Sequence, residues 1–197
     1  HVDIWGDDAD ALASAANLLA QAGWKRGQPW GYEVTLPAGF DYAEAEGPKH
    51  DWAYWAAKGV RLAQGGTPNG AEAREEATIL LPQGANGPAF LALPNHYVIR
   101  RYNNSVSYAL AIGLIADGVQ GKPALTKAWP NAAPLTRDQR IGAQNALTRM
   151  GYDTKGVDGV IGANTRAALR RWQLANGRTA DGYLTAELAD ELIRRAG

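Results

Sequence analysis

The sequence predicts an α+β protein, in which a mainly helical part with a small antiparallel sheet is followed by a module of three helices. Two observations support this: helical periodicity near both ends of the chain, and short apolar runs typical of strands between residues 32 and 93. A proline-containing stretch separates the two parts. We therefore predict a first domain over 1–121, a Pro/Ala linker over 122–135 and a second domain over 136–197.

Composition excludes several classes of function. The 197 residues include 20 basic and 20 acidic side chains, so a nucleic-acid partner is not expected. The absence of cysteine removes disulfides, thiol catalysis and cysteine zinc sites, and three histidines without paired spacing do not favour catalytic zinc. No apolar stretch approaches the ~18 residues of a membrane helix, so we expect no membrane span in this chain.

The first domain opens with a predicted helix over 8–22. Asp8 or Asp10 can cap its N-terminus, and Gly23 stands where a glycine commonly ends a helix. An apolar stripe of small residues predicts that this helix packs closely against the rest of the domain; it consists of Ala15, Leu18, Leu19 and Ala22.

The middle of the chain alternates predicted strands and helices. Strands are expected over 32–36, 77–81 and 89–93, and a short helix over 51–58. The segment 97–102 reads as a further strand or an extended lead-in. Ser105 is then expected to cap a helix over 106–117 that Gly118 ends.

The second domain shows the clearest helical signals. Thr136 and Gln139 have the spacing of a capping box, in which each side chain bonds the other residue's backbone. Three helices with matching apolar spacing follow. The runs 158–161 and 181–184 both begin with Asp-Gly and both precede a helix, which indicates a weak internal repeat.

The segment around the first of these runs, 158–161, resembles the type 1 peptidoglycan-binding domain of bacterial wall hydrolases. The residues that carry the resemblance are Asp158, Gly159, Gly162, Thr165, Arg166 and Trp172. The glycines permit a tight loop, Asp158 can bond loop amides, and the following helix N-terminus would favour a carboxylate of a stem peptide. Alternatively, Asp158 and the glycines only shape the turn, and Trp172 belongs to the core.

The first domain is similar to the lytic murein transglycosylase B family (glycoside hydrolase family 103). Several blocks carry the resemblance in the same order: Asp3-Ile4-Trp5-Gly6, Gly23-Trp24-Lys25-Arg26-Gly27-Gln28-Pro29-Trp30-Gly31-Tyr32, Leu80-Leu81-Pro82, Pro94-Asn95, and Arg101-Tyr102-Asn103-Asn104-Ser105 with Tyr108. The resemblance implies the end of a lysozyme-like catalytic domain. It also implies a periplasmic, wall-associated protein whose partners are glycan strands and stem peptides.

Enzymes of that family cleave the bond between N-acetylmuramic acid and N-acetylglucosamine without water and leave a 1,6-anhydro ring. A single glutamic acid protonates the glycosidic oxygen and then takes the proton of the muramic C6 hydroxyl. One carboxyl suffices because the nucleophile is tethered within the substrate, whereas ordinary glycosidases use two.

The resemblance places that glutamate upstream of residue 1. The chain has eight glutamates, at 33, 44, 46, 72, 75, 76, 187 and 191, and we expect all of them to be solvated surface carboxylates. We therefore assign no catalytic residue here. We expect a C-terminal part, inactive alone, whose partner is an N-terminal fragment that bears the glutamate and any outer-membrane anchor. The alternative function is a non-catalytic peptidoglycan-binding or scaffold protein.

The resemblance also suggests ligand-binding residues. Tyr102, Asn103, Tyr108 and Asn17 match positions that line the family's sugar groove, where aromatic rings and amides suit an N-acetylated glycan. No cofactor is expected to be required. Some family members hold calcium in a loop just ahead of this point, and the surviving ligands would be His1, Asp3 and Asp10.

Overall fold

The computed structural model describes residues 5–197, which form two compact units. Of the described residues, unit 1 comprises 5–37 together with Pro48–Pro82 and Ala89–Thr126. Unit 2 comprises Lys127–Gly197 together with two segments from earlier in the sequence, Ala38–Gly47 and Gln83–Pro88. Two loop segments from earlier in the sequence therefore pack with the C-terminal module.

The α+β class is confirmed by the secondary structure. The described helices are α1 (Asp8–Gln21), α2 (Trp52–Ala57), α3 (Pro94–Tyr102), α4 (Val106–Val119), α5 (Arg137–Arg149), α6 (Ala163–Ala175) and α7 (Ala186–Ala196). The described strands are β1 (Gly31–Thr35), β2 (Arg61–Leu62), β3 (Thr78–Leu80) and β4 (Ala89–Ala92). No helix among residues 5–197 is long and apolar enough to cross a membrane.

One antiparallel sheet lies in unit 1, with the strand order β2-β1-β4-β3. Leu91 of the central strand β4 pairs with Tyr32 on one side and with Ile79 on the other. The three strands expected from sequence are confirmed to within a residue or two. Strand β2 was not expected, because two residues carry no readable alternation.

Residues 97–102 are helical, so the expectation of a strand or an extended lead-in there is wrong. Pro94 stands at the start of α3, where its fixed φ suits a helix and its missing N–H costs nothing. Asn95, Val98 and Ile99 are buried on one side of the helix. Their spacing of three and four residues is that of a helix face, which the aromatic and β-branched composition had obscured.

Helix α1 forms as expected but does not pack as expected. Asp7 caps it, rather than Asp8 or Asp10, with its carboxylate accepting from the backbone of Ala9 at 2.8 Å. No residue of α1 is buried, and Leu18 is 48% exposed. The prediction of a closely packed apolar stripe is therefore wrong for the described part of the chain.

The core of unit 1 lies between the sheet and helices α3 and α4. One cluster of buried residues there consists of Trp30, Leu80, Phe90, Ala92, Ile99, Ala109 and Leu110. Ser105 caps α4 as expected, accepting from the backbone N–H of Tyr108 at 3.2 Å. The sheet and α4 together thus hold the α3–α4 junction in place.

Helices α5, α6 and α7 surround the core of unit 2. Its buried residues are Ala143, Ala146, Leu147, Ala168, Leu169, Trp172, Leu184, Ala189 and Leu192. The predicted capping box is confirmed, since Gln139 N–H donates to Thr136 Oγ1 and Thr136 N–H donates to Gln139 Oε1, both at 3.1 Å. The three-helix expectation for this part of the chain is therefore correct.

Candidate functional site

Two tyrosines lie together at the junction of α3 and α4. Tyr102 ends α3 and is 70% exposed, whereas Tyr108 in the first turn of α4 is half-buried. Their ring centroids are 6.2 Å apart with planes 32° from each other. Asn103 follows Tyr102 in extended conformation and is exposed. Aromatic rings and an amide are side-chain types that suit an N-acetylated sugar.

Asn17, the fourth residue expected at the sugar groove, lies on helix α1. It is exposed, and no described hydrogen bond or ring contact joins it to Tyr102, Asn103 or Tyr108. The structure therefore brings three of the four residues to one corner by their sequence proximity. A shared site with Asn17 stays a prediction.

Asn95 fixes the turn ahead of β1 and explains why Pro94-Asn95 belongs to the sequence pattern. Its Oδ1 accepts from Lys25 N–H at 2.8 Å, and its Nδ2 donates to the carbonyls of Lys25 and Gln28 at 2.9 Å each. The side chain is fully buried. It thereby satisfies three backbone groups that would otherwise be unpaired.

A cleft of about 1010 Å³ lies beside this turn in unit 1. Aromatic and acidic side chains contribute to its walls, among them Trp24, Trp30, Tyr32, Glu33 and Asp117. Tyr102, Asn103, Tyr108 and Asn17 do not line it. No local pattern in the sequence points to this cleft, because its walls come from segments about 30 to 100 positions apart.

Glu72 is buried, so the expectation that every glutamate is a solvated surface carboxylate is wrong for this residue. It is 6% exposed, accepts from the hydroxyl of Tyr32, and accepts from the backbone N–H of Asn69 at 3.2 Å. Burial, the hydrogen bond and the nearby carboxylate all raise the pKa of Tyr32, which therefore stays protonated and donates. Glu72 thus secures the loop 69–75 to the sheet.

Two further glutamates have specific partners. Glu75 bonds Lys25 at 2.5 Å and Gln28 at 3.1 Å, and the Lys25 bond lowers the pKa of its carboxyl. In unit 2, Glu46 is paired with Arg166. These carboxylates are engaged in holding loops together.

The Asp158 loop of unit 2 is held by a buried glutamine. Gln144 Nε2 donates to Asp158 Oδ1 at 3.1 Å, and Gln144 Oε1 accepts from Gly159 N–H at 2.8 Å. Val160 N–H also donates to Asp158 Oδ1, at 2.8 Å. The Val160 and Gln144 bonds lower the pKa of Asp158, whose side chain is exposed. Gly159 has φ +77, which the tight loop requires.

The other residues singled out in this module have mostly internal positions. Gly162 caps α6, and Thr165 is buried 3.0 Å from Gln144 Nε2. Trp172 is 2% exposed and lies in the core, with the guanidinium groups of Arg178 and Arg195 over its ring. Of the two interpretations offered for Trp172, its surroundings agree with the core one.

A calcium site cannot be built from the described residues. His1 and Asp3 lie outside them, and Asp10 is on helix α1. Among residues 5–197, no three acidic or histidine side chains come close enough to hold a metal ion. Calcium takes six to eight oxygen ligands, so Asp10 alone does not fit it, and the site stays a prediction.

Comparison with protein families identifies both parts of the chain. Residues 1–117 match the model described as the transglycosylase SLT domain. The chain belongs to the transglycosylase SLT domain family. Residues 136–192 match the model described as a putative peptidoglycan binding domain, and this range contains the Asp158 loop, α5, α6 and the first part of α7. The expected resemblance to lytic murein transglycosylases is thus confirmed.

Individual relatives agree with this assignment. Two crystal structures of SltB3 from Pseudomonas aeruginosa, in complex with NAG-anhNAM-pentapeptide and with NAG-NAM-pentapeptide, share 50% identity with this chain and superpose with TM-scores of 0.90. They are matched over 96% of this chain and 51% of theirs. Membrane-bound lytic murein transglycosylase B of Escherichia coli (strain K12) is 32% identical over 125 residues, which are 60% of this chain and 31% of that protein.

The chain therefore spans about half the length of the SltB3 chains and about a third of the Escherichia coli protein. Within this SLT domain family member, Glu72 and Glu75 provide loop contacts, and Tyr102 at the α3–α4 junction is exposed. The sequence did not predict the burial of Glu72 or the hydrogen bonds of Asn95, because their partners lie 40 to 70 positions away.

Proposed function

We propose that this chain is part of a lytic transglycosylase that cleaves the NAM–NAG bond of peptidoglycan without water and leaves 1,6-anhydromuramic ends. The observation that supports this most strongly is the likeness to SltB3, at 50% identity over 96% of the chain. That relative was solved with NAG-anhNAM-pentapeptide, a ligand that carries an anhydromuramic unit.

The reaction needs one carboxyl group that first donates and then accepts a proton. A second carboxylate is unnecessary, because the muramic C6 hydroxyl is held beside the reacting carbon within the same sugar. We place this acid in the half of the enzyme upstream of residue 1. The contacts of the chain's own glutamates support that choice, since Glu72 is committed to Tyr32 and Glu75 to Lys25.

The contribution of this chain is to bind the substrate. We assign the glycan to the α3–α4 corner, where the ring of Tyr102 can lie against a sugar face and Asn103 can bond an N-acetyl group. The high exposure of Tyr102 supports this assignment, because a structural tyrosine would be expected to bury more of its ring. Asn17 remains a candidate for an adjacent sugar.

We place the protein in the periplasm at the cell wall, with any membrane anchor in the upstream part. The peptidoglycan binding domain would keep the enzyme on its polymeric substrate, because a second attachment raises the local concentration of glycan at the first. Calcium, if bound, would need ligands beyond Asp10, and no step of the proposed reaction depends on it.

Sedimentation with purified sacculi tests the binding part of this proposal. The 197-residue chain is incubated with sacculi, with cellulose and without polymer, and the fraction in each pellet is measured. We expect pelleting with sacculi only. Equal pelleting with cellulose would indicate general adhesion to polysaccharides rather than recognition of peptidoglycan. No pelleting with sacculi would contradict the proposed role.

A further inference from the structure

The Asp158 loop has a second copy within the peptidoglycan binding domain. The run 158–161 precedes α6 and the run 181–184 precedes α7, and in each case the next residue, Gly162 or Thr185, is the N-cap of the helix. The glycine after each aspartate has positive φ, +77 at Gly159 and +68 at Gly182. The weak repeat seen in the sequence is therefore a repeat of structure.

The second loop is held by the same set of bonds as the first. Gln173 Nε2 donates to Asp181 Oδ1 at 2.8 Å, Gly182 N–H donates to Gln173 Oε1 at 2.8 Å, and Tyr183 N–H donates to Asp181 Oδ1 at 3.0 Å. Gln144 does the same for the first loop. We call Gln144 with 158–160 the first clamp, and Gln173 with 181–183 the second clamp.

The second clamp holds a piece of backbone from elsewhere in unit 2. The remaining oxygen of its carboxylate, Asp181 Oδ2, accepts from Ala85 N–H at 2.9 Å. Gly84 packs so closely that a Cβ there would lie 2.5 Å from both Asp181 Oδ2 and Tyr183 Cβ. The occupant is thus a peptide segment of very small residues that donates a main-chain N–H to the aspartate.

The first clamp presents the same groups to solvent. Asp158 is exposed and Val160 is 63% exposed, whereas their counterparts Asp181 and Tyr183 are half-buried beneath the Gly84–Ala85 segment. The bonds from Gln144 and Val160 both end on Oδ1 of Asp158, as the equivalent bonds do at Asp181. The oxygen that would match Asp181 Oδ2 is therefore Asp158 Oδ2.

We propose that the first clamp is a peptide-binding site for the stem peptide of peptidoglycan, which donates a main-chain N–H to Asp158 and packs a small side chain against Val160. The inference rests on the proposed function and specifies its ligand chemistry: peptide, not sugar. The occupant of the second clamp supports this, because what Asp181 holds is a backbone amide flanked by small residues.

Asp158→Asn is a sharp test of the carboxylate. The two internal donors, Gln144 Nε2 and Val160 N–H, both require an acceptor at Oδ1, so the amide nitrogen of the new side chain must take the place of Oδ2. In this variant an amide N–H would face the N–H of the peptide, at the position where the Oδ2 atom of wild-type Asp158 accepts a hydrogen bond. Asp181→Asn makes the same exchange in the second clamp and is the matched control.

The experiment is a titration of the 197-residue chain, labelled with ¹⁵N, with NAG-NAM-pentapeptide and with the peptide-free NAG-NAM disaccharide. We expect the amides of 158–163 to shift with the pentapeptide ligand only. Losing a charge-assisted hydrogen bond and leaving two donors opposed should raise Kd about tenfold or more in Asp158→Asn. Asp181→Asn should leave Kd within about twofold.

The inference is overturned if the disaccharide shifts the same amides equally, if the pentapeptide ligand shifts none of them, or if Asp158→Asn keeps the wild-type Kd. The shift map of the wild-type chain does not depend on whether a variant folds. Sedimentation with sacculi separates the two proposals: pelleting without shifts at 158–163 refutes the clamp alone, whereas a wild-type chain that does not pellet refutes the proposed function.

Discussion

The indole Nε1–H of Trp30 donates to Asp117 Oδ2 at 2.9 Å, although the two residues are 87 positions apart. Trp30 directly precedes β1, and Asp117 is near the end of α4. The same indole lies against Gly113, where a Cβ would come within 2.5 Å of the ring. The bond and the close approach together fix α4 against the sheet, and with it the Tyr102 corner.

Gly113→Ala should destabilise unit 1. The added methyl group would overlap the Trp30 ring, and overpacking of this kind costs about 1–3 kcal/mol. Gly118→Ala lies in the same helix with open space around its Cβ, so it should be neutral or stabilising by up to about 1 kcal/mol. Urea unfolding of the two variants measures the difference, and equal stabilities would refute the proposed packing.

Asn95→Ala should also be strongly destabilising. It would leave the N–H and carbonyl of Lys25 and the carbonyl of Gln28 without their partner in a buried place, at a cost of about 3 kcal/mol. Asn104→Ala removes an exposed bond to Arg100 and should change stability by no more than about 0.5 kcal/mol. Thermal unfolding of both variants checks this. If Asn95→Ala is as stable as Asn104→Ala, the hydrogen bonds of Asn95 do not stabilise the turn as proposed.

His96 should make unit 1 less stable in acid. Burial lowers its pKa from 6.5 to about 4, with Arg100 nearby adding to the shift. The unfolded chain therefore takes up a proton below pH 6.5 that the folded chain refuses until about pH 4. Stability is fully present above pH 6.5 and should fall by about 3 kcal/mol as the pH drops to 4.

The His96 contribution can be isolated with a variant that does not titrate. His96→Leu fills the buried position, where neither ring nitrogen has a hydrogen-bond partner among the described residues. Its free energy of unfolding should decline less between pH 7 and pH 4 than that of the wild type. If the free energies of unfolding of both proteins decline equally, another group causes the loss of stability, and the proposed role of His96 is wrong.

Tyr102→Ala should weaken glycan binding while leaving the fold intact. Stacking of a sugar on an exposed aromatic ring is lost, and we expect the Kd for peptide-free NAG-NAM strands to rise about fivefold. Because Tyr102 is 70% exposed, the free energy of unfolding should change by no more than about 0.5 kcal/mol. Tyr102→Phe keeps the ring, and a Kd as weak as that of the alanine variant would argue against stacking.

The features that could be predicted from sequence are the local ones. The capping box of Thr136 and Gln139, the cap at Ser105 and the repeated Asp-Gly loops are each defined by residues a few positions apart. The burial of Glu72 could not be predicted, because its partner Tyr32 is 40 positions away. The segment 97–102 misled because its composition favours strands, and burial of Val98 and Ile99 outweighed that preference.

The candidate sites divide in the same way. The family resemblance pointed to Tyr102, Asn103 and Tyr108, and the contact between the two tyrosines follows from one helix junction. The pairing of Ala85 with Asp181 joins residues 96 positions apart, so only the structure shows that the second clamp is occupied. The family resemblance predicted the type of reaction, whereas the contacts of individual side chains over long sequence distances are seen only in the structure.

The central claim is that this chain binds peptidoglycan while the catalytic acid is contributed from upstream. The most direct test incubates purified sacculi with the 197-residue chain, and with a chimera in which the upstream half of Pseudomonas aeruginosa SltB3 precedes residue 1, and identifies released muropeptides by LC-MS. We predict anhydromuramic products from the chimera and none from the chain. Anhydro products from the chain, with an intact mass that shows no copurified fragment, would contradict the claim and place the acid among its eight glutamates.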